Sequence, residues 1–104
     1  MGAKELVIEE GIGGDGIVVN LRMGTDPGTR RFAALRHALE TLSIELEDAQ
    51  ALDRSLVAAL HALSFHACGL VDGWTSQGKE WRRSLVEDEL PEIYELVDVI
   101  FEGS

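Results

Sequence analysis

The chain has 104 residues, which is long enough for one globular domain. Of these residues 45 % are apolar and 27 % are charged, a composition that excludes wholesale disorder. Its net charge of −10 repels phosphate and therefore argues against direct contact with a nucleic-acid backbone. The single cysteine, Cys68, excludes an intrachain disulfide and favours a cytoplasmic protein.

A membrane protein is not expected either. The N-terminus has no apolar signal core. The longest helical stretch without Asp, Glu, Lys or Arg, Ser55–Val71, contains two histidines and is shorter than the about 20 apolar residues that a spanning helix needs.

The first two predicted elements are the strands Lys4–Glu10 and Ile17–Met23, both rich in Val and Ile. In the second strand apolar residues alternate with more polar ones, as on a half-buried sheet. Four glycines lie in Gly11–Gly16, and glycine adopts positive φ without steric cost, which a tight reversal requires. The sequence therefore predicts an N-terminal antiparallel β-hairpin over residues 4–23.

The next predicted element is a helix that begins at Asp26-Pro27, with Asp as N-cap and Pro at the first helical position. Apolar residues then recur at steps of three and four. They are Phe32, Leu35, Leu39, Leu42 and Leu46. We expect a turn near Glu45–Asp48, because a helix unbroken to Val71 would be too long for a small domain to cover.

A second helix is predicted over Ala49–Asp72, and it carries two apolar stripes. One consists of Leu52, Leu56, Leu60, Leu63, Ala67 and Leu70; the other consists of Val57, His61, Phe65 and Cys68. A helix that is apolar nearly all round is buried on nearly all sides. This helix is therefore expected to be central in the fold.

The last predicted elements are a loop at Asp72–Gly78, a short helix at Lys79–Val86 and a final helix at Glu89–Glu102. The hairpin followed by three or four helices makes an α+β fold, with its helical part over 26–102. The chain shows no internal repeat or linker, so residues 1–104 are expected to form one domain.

Gly11, Gly13 and Gly16 match the glycine spacing of dinucleotide-binding proteins. That motif works because a helix N-terminus follows the glycines and offers its N–H groups to phosphate. A predicted strand follows here, so we expect no nucleotide site.

The histidines and the cysteine do not form a metal site or a nucleophile–base pair in this pattern. His61 and His66 point about 140° apart at 100° per residue, and His66 and Cys68 diverge further. Cys68 lies within an apolar helix, whereas reactive cysteines favour helix N-termini and positive surroundings. We expect two core histidines, an unreactive thiol, no metal and no cofactor.

Trp74 and Trp81 are candidate partner-binding residues, because Trp and Arg are frequent at binding hot spots and Arg82 and Arg83 follow the second tryptophan. The alternative interpretation is that both indoles cover the open end of the helical core. The sequence does not decide between the two.

The final helix has an acidic side. Leu90, Ile93, Tyr94, Val97, Ile100 and Phe101 fall on one face of its helical wheel, and Asp88, Glu92, Glu95 and Glu102 fall on the other. Leu96 and Val99 lie among or beside these acids, which favours a binding surface made of Glu92, Glu95, Leu96 and Val99. The basic cluster of Arg30, Arg31 and Arg36 is expected to pair with this face, within one subunit or between two.

Two functions remain. The first is a small, acidic, non-enzymatic interaction module that binds another protein as an inhibitor, immunity-type protein, adaptor or chaperone, and its charge favours a basic partner. We expect it to be a homodimer, through the hairpin edges or the helices. The alternative is a small-ligand-binding protein or enzyme, with a pocket between hairpin and helices near His61 or His66, Trp74 and Trp81.

Overall fold

The computed structural model describes residues 2–47 and 52–103, which form helices and contain no strand. The five helices are α1 (Ala3–Ile12), α2 (Ile17–Arg22), α3 (Thr29–Glu45), α4 (Arg54–Ser76) and α5 (Leu85–Gly103). Two of them contain a π-helical turn. In α4 it is Ala62–His66, and in α5 it is the opening segment Leu85–Glu89.

The predicted β-hairpin, and with it the α+β fold class, is wrong. Residues 4–10 lie in α1 and residues 17–22 form α2. A two-stranded hairpin is only marginally stable alone. As a helix, the same segment places Leu6, Val7 and Glu10 on one side, and Val7 is completely buried there. The alternation of apolar and polar residues predicted for the second strand does not describe α2, which is a helix with Ile17 and Leu21 buried on one face.

The glycine run is a turn, as predicted, but it connects two helices and its glycines are needed for a different reason. Gly13 has a φ of −73° and Gly16 a φ of −76°, which other residues adopt as well. A Cβ on either glycine would lie 2.4 Å from the carbonyl oxygen of Glu9. The chain folds back so closely on the end of α1 that no side chain fits there.

The core lies where α1 packs between α3 and α4, α2 packs on the second half of α4, and α5 packs on α3. Its largest fully buried side chains are Ile17, Leu21, Leu35, Leu39, Leu42, Leu56, Leu60, Leu63, Leu85, Ile93, Val7 and Val18. Gly11 allows α1 to approach α4 closely, since a Cβ there would lie 2.7 Å from the Cα of Ala59. One core therefore holds all five helices together.

Helix α3 begins two residues later than predicted. Gly28, with a φ of +95°, precedes its first residue, and Asp26 accepts a hydrogen bond from the Gly28 N–H at 2.8 Å. Asp26 thus closes the turn before the helix and is not its N-cap. The predicted stripe is buried from Phe32 to Leu42. The helix ends at Glu45, and the part of the predicted turn at residue 48 lies outside the described residues.

Helix α4 begins at Arg54, directly after the non-helical Leu52 and Asp53, and the predicted start at Ala49 lies outside the described residues. Asp53 is its N-cap, accepting a hydrogen bond from the Leu56 N–H at 3.0 Å. The helix continues to Ser76, because Gly69 and Gly73 do not interrupt it, so most of the predicted loop is helical. The reversal occurs at Gly78, whose φ is +93°.

The predicted short helix Lys79–Val86 is also wrong in part. Residues 79–82 are not helical, and the chain becomes helical again only just before α5. Arg82 explains this geometry, because its guanidinium binds Asp26 of the α2–α3 connection and Glu89 of α5. In this non-helical segment one arginine reaches both carboxylates.

The expectation that the second helix is buried on nearly all sides is wrong. The stripe that contains Leu56, Leu60 and Leu63 is buried, but in the second stripe Val57 is 38 % exposed and Phe65 67 % exposed. By its length and composition alone, α4 is apolar enough to cross a membrane, but the core helices of soluble proteins often are as well. Of its most apolar 18-residue stretch, 39 % is buried inside the protein. The protein thus leaves one apolar side of its longest helix uncovered.

Candidate interaction surfaces

The acids of α5 divide into paired and unpaired ones. Glu87 pairs with Arg83 at 2.9 Å, Glu89 pairs with Arg82 at 2.7 Å, and Glu92 pairs with Arg36 at 3.3 Å. Within residues 2–47 and 52–103 no ion pair reaches the other four, which are Asp88, Glu95, Asp98 and Glu102. These four recur at steps of three, four and seven, so they follow one side of the helix. We call them the acidic stripe.

Exposed apolar side chains accompany the acidic stripe. Val99 is 52 % exposed, and Leu96 is half-buried against the core. Tyr94 and Phe101, which the helical wheel placed on the buried side, are each 40 % exposed. The outer surface of α5 therefore mixes uncompensated negative charge with apolar area.

An open groove of about 410 Å³ separates α5 from the second half of α4. Val71 and Leu90 are buried beneath it, while Val86 and Tyr94 are exposed beside it. The acidic stripe borders this groove at Glu95. The groove combines an apolar floor with a negatively charged edge.

Cys68 also lines this groove. Burial raises the pKa of the Cys68 thiol, and the nearby carboxylate of Asp72 raises that pKa further. The thiol is therefore protonated at neutral pH, and its environment does not activate it as a nucleophile.

Neither tryptophan lies in the groove. The Trp74 indole packs over Gly24, and its Nε1 donates a hydrogen bond to the carbonyl oxygen of Arg22 at 3.2 Å. Trp81 packs against the core, with the Nζ of Lys79 4.9 Å from its ring centroid. Both indoles therefore pack against neighbouring parts of the chain, and their role as partner-binding residues stays a prediction.

The predicted basic cluster does not act as a unit. Arg31 binds Glu10 of α1, with its Nε donating at 3.1 Å, and this pair is mostly buried. Arg36 reaches α5 and binds Glu92. Arg30 has no ion pair among the described residues. Only one of the three arginines therefore pairs with the acidic helix.

His61 and His66 line the same pocket, contrary to the geometry assumed for an α-helix. The π-helical turn between them bonds residues five apart, as the Ala67 N–H does with the carbonyl of Ala62. Residues five apart then lie on one side of the helix. The pocket has a volume of about 260 Å³, lies between α1, α2 and α4, and also contains Arg22. No composition signal marks a π turn, so the sequence could not reveal this site.

The described residues contain no group of three or more His, Cys, Asp or Glu side chains that could hold a metal ion. Neither Trp74 nor Trp81 lines the histidine pocket. The four residues predicted to form a ligand pocket are thus divided among separate places.

The chain matches no protein-family model, no curated protein and no solved structure.

Proposed function

We propose that the protein is a small, non-enzymatic interaction module that binds a basic segment of another protein along α5. The observation that carries the proposal is the acidic stripe beside the apolar groove. Solvated charge alone would account for the acids, but it does not account for exposed Val86, Tyr94 and Val99 on the same surface.

The chemistry of this surface fits an amphipathic helix with lysines or arginines on its polar side. Its apolar side chains would enter the groove above Val71 and Leu90, and its cations would face Glu95 and Asp98. Helices commonly bind by laying an apolar face into such a groove. Charge complementarity then selects the partner and accelerates its association.

The test uses a synthetic 16-residue peptide with leucines at three- and four-residue spacing and lysines elsewhere. Calorimetric titration at 50 mM and 500 mM NaCl compares the natural protein with Glu95→Gln/Asp98→Asn. Each exposed ion pair contributes up to about 1 kcal/mol, so the variant should bind about tenfold more weakly at 50 mM NaCl. The difference should nearly vanish at 500 mM NaCl, because salt screens exposed charges.

The matched control is Glu45→Gln/Glu47→Gln, which removes the same charge at two exposed positions at and just after the last residue of α3. This control should bind like the natural protein. Equal weakening by both double variants would mean that the peptide senses only the net charge, and the proposal would then be wrong.

A second candidate function is the binding of a small organic anion in the histidine pocket. The specific observation is that the π turn brings His61 and His66 to one pocket with Arg22, whose guanidinium has no ion pair within the described chain. Arginine and imidazole N–H groups suit a carboxylate, and Val18 and Val19 supply apolar wall.

Titration with benzoate, followed by the amide shifts of the protein, tests this second candidate. The shifts should be confined to residues around Val19 and Ala62, should be absent with neutral benzamide, and should be lost in Arg22→Gln. Arg30→Gln is the matched control, because Arg30 is equally without an ion pair and lies on α3. Shifts that persist in Arg22→Gln would rule this site out.

A further inference from the structure

The uncovered side of α4 has a regular composition. Six residues follow it at steps of three and four: Arg54, Val57, His61, Phe65, Gly69 and Asp72. All six are exposed, and we call them the α4 ridge. Only its two end residues are charged, while the remainder is apolar, aromatic or glycine.

The residues of the α4 ridge form pairs at equal distances before and after Leu63, and the two members of a pair complement each other in charge or in size. Arg54 lies nine residues before Leu63 and Asp72 nine residues after it. Val57 lies six residues before and Gly69 six after. We infer that this ridge binds a second copy of the chain, with the two α4 helices antiparallel across a twofold axis at the level of Leu63.

The charges fit this arrangement. In an antiparallel pair, Arg54 of each copy approaches Asp72 of the other, which gives two ion pairs. Neither residue has an ion pair within residues 2–47 and 52–103, so both are free to form one. A parallel pair would instead place like charges together, which is destabilising.

The shapes fit as well. Gly69 has open space above it, since a Cβ placed there would meet nothing within 4 Å. Val57 of the second copy would fill that space. His61 and Phe65 stack in each copy with ring centroids 5.7 Å apart, so the twofold axis would bring four rings together at the centre. Aromatic pairs of this kind contribute beyond the area they bury.

The ridge carries little negative charge of its own, so two chains of charge −10 can meet there with less local repulsion than at the acidic stripe. Its only acid is Asp72, and that acid would be paired. A cyclic dimer with one self-complementary interface is also the commonest oligomer. This inference does not depend on the proposed function of α5.

Sedimentation equilibrium of the full chain between 5 and 500 µM tests the inference. The natural protein should approach twice the monomer mass of 11.4 kDa. Arg54→Asp and Asp72→Arg should each raise the dimer dissociation constant by roughly tenfold or more, because each creates two like-charge contacts. The double exchange Arg54→Asp/Asp72→Arg should restore most of the affinity, since it re-forms both ion pairs in reverse.

The apolar part of the ridge is tested separately. Phe65→Ser should abolish the dimer, and Met23→Ser, which removes a 71 % exposed side chain outside the ridge, should leave it intact. Circular dichroism of every variant confirms that the helices are retained. A monomer at all concentrations would overturn the inference, as would a dimer that Phe65→Ser or the single charge reversals leave unchanged.

Discussion

Gly11 is the residue on which the contact between α1 and α4 most directly depends. Its missing side chain leaves room for Ala59, whose Cα, Cβ and carbonyl oxygen would all lie 2.7 Å from a Cβ at position 11. Two of these atoms belong to the backbone, so a rotamer change cannot relieve the clash. The glycine pattern that resembles a nucleotide motif is therefore explained in part by helix packing.

We predict that Gly11→Ala destabilises the protein. Overpacking costs about 1–3 kcal/mol, which exceeds the up to about 1 kcal/mol that alanine gains over glycine in a helix. Urea unfolding followed by circular dichroism measures the difference. Gly14→Ala is the control, because nothing lies within 4 Å of its added Cβ, and it should leave the free energy of unfolding nearly unchanged.

The expectation that no nucleotide binds at these glycines was based on a predicted strand after Gly16, and that reason is wrong. A helix, and not a strand, follows Gly16, but it has only six residues. Gly11 lies inside α1, so its backbone N–H takes part in helical hydrogen bonding and is not free to bind phosphate. The absence of a nucleotide site stays a prediction, now argued from this helical structure.

Asp26 gives the stability a pH dependence. Although burial raises its pKa, the hydrogen bonds from Arg82 and from the Gly28 N–H outweigh this, and the pKa of Asp26 is lowered from its ordinary value of 3.8. A carboxylate with a lowered pKa stabilises the fold above its ordinary pKa. That stabilisation is lost as the pH falls through the lowered value.

We therefore expect Asp26→Asn to lower the free energy of unfolding by about 1 kcal/mol at pH 6, where a single partly exposed ion pair is removed. The difference from the natural protein should shrink below about pH 4, the region of the ordinary pKa. Urea unfolding at pH 6, 4 and 3 measures it. A difference that stays constant from pH 6 to pH 3 would contradict the role of the ionised carboxylate.

At the scale of the helices, the sequence predicted the elements with a clear period and failed where the period was ambiguous. The stripe from Phe32 to Leu42 recurs at helical steps, and α3 forms there. Leu6, Val7 and Ile8 are three consecutive apolar residues that fit a strand or a helix equally well. Tertiary contacts favour the helix, in which Glu10 accepts a hydrogen bond from Arg31 and Gly11 packs against Ala59.

The π turns could not be predicted for a different reason. They arise from a shift in backbone hydrogen bonding that leaves no mark in composition. The shift changes which side chains share a face, so the separation of about 140° expected for His61 and His66 did not hold. The buried stripe of α4 could be predicted, but the exposure of Phe65 depends on how much of the helix its neighbours cover.

The residue before α4, Asp53, makes two contacts that a substitution can separate. Asp53 accepts the Leu56 N–H and also pairs with Lys4 of α1. The pKa of Asp53 is lowered by the Lys4 ammonium first and by the Leu56 N–H second. Its side chain therefore both caps α4 and connects it to α1.

We predict that Asp53→Ala lowers the melting temperature more than Asp53→Asn does. Asparagine caps a helix about as well as aspartate, so the Asn variant loses the charge but keeps the cap. Thermal unfolding at pH 7 compares the two. Equal losses would mean that the ion pair with Lys4, and not the cap, determines the effect.

At the scale of the whole molecule, charge dominates. Nineteen acids against nine Lys and Arg leave a net charge of −10, and compaction brings these charges together. The sequence predicted the acidity of α5, but it could not distinguish the acids that have partners. Arg36, Arg82 and Arg83 neutralise three of them, and only the packing of the chain reveals which four remain.

We expect the melting temperature to rise by a few degrees between 20 mM and 500 mM NaCl, because screening relieves this repulsion. Choline chloride should act similarly, which excludes specific sodium binding. The gain should be smaller in Glu95→Gln/Asp98→Asn, which carries two fewer negative charges. A melting temperature that falls with salt would mean that the ion pairs of Arg31 and Arg82 outweigh the overall repulsion.

The position of α1 has a consequence for biosynthesis. This helix packs mainly against α3 and against the part of α4 that precedes the π-helical turn, and this part ends only at His61. At the usual 5–20 residues per second, the ribosome needs on the order of several seconds to proceed from Ile12 to His61. During this interval the apolar side of α1 has no covering helix on its α4 side. The Leu-Val-Ile run of α1 is therefore open to chaperones during that interval.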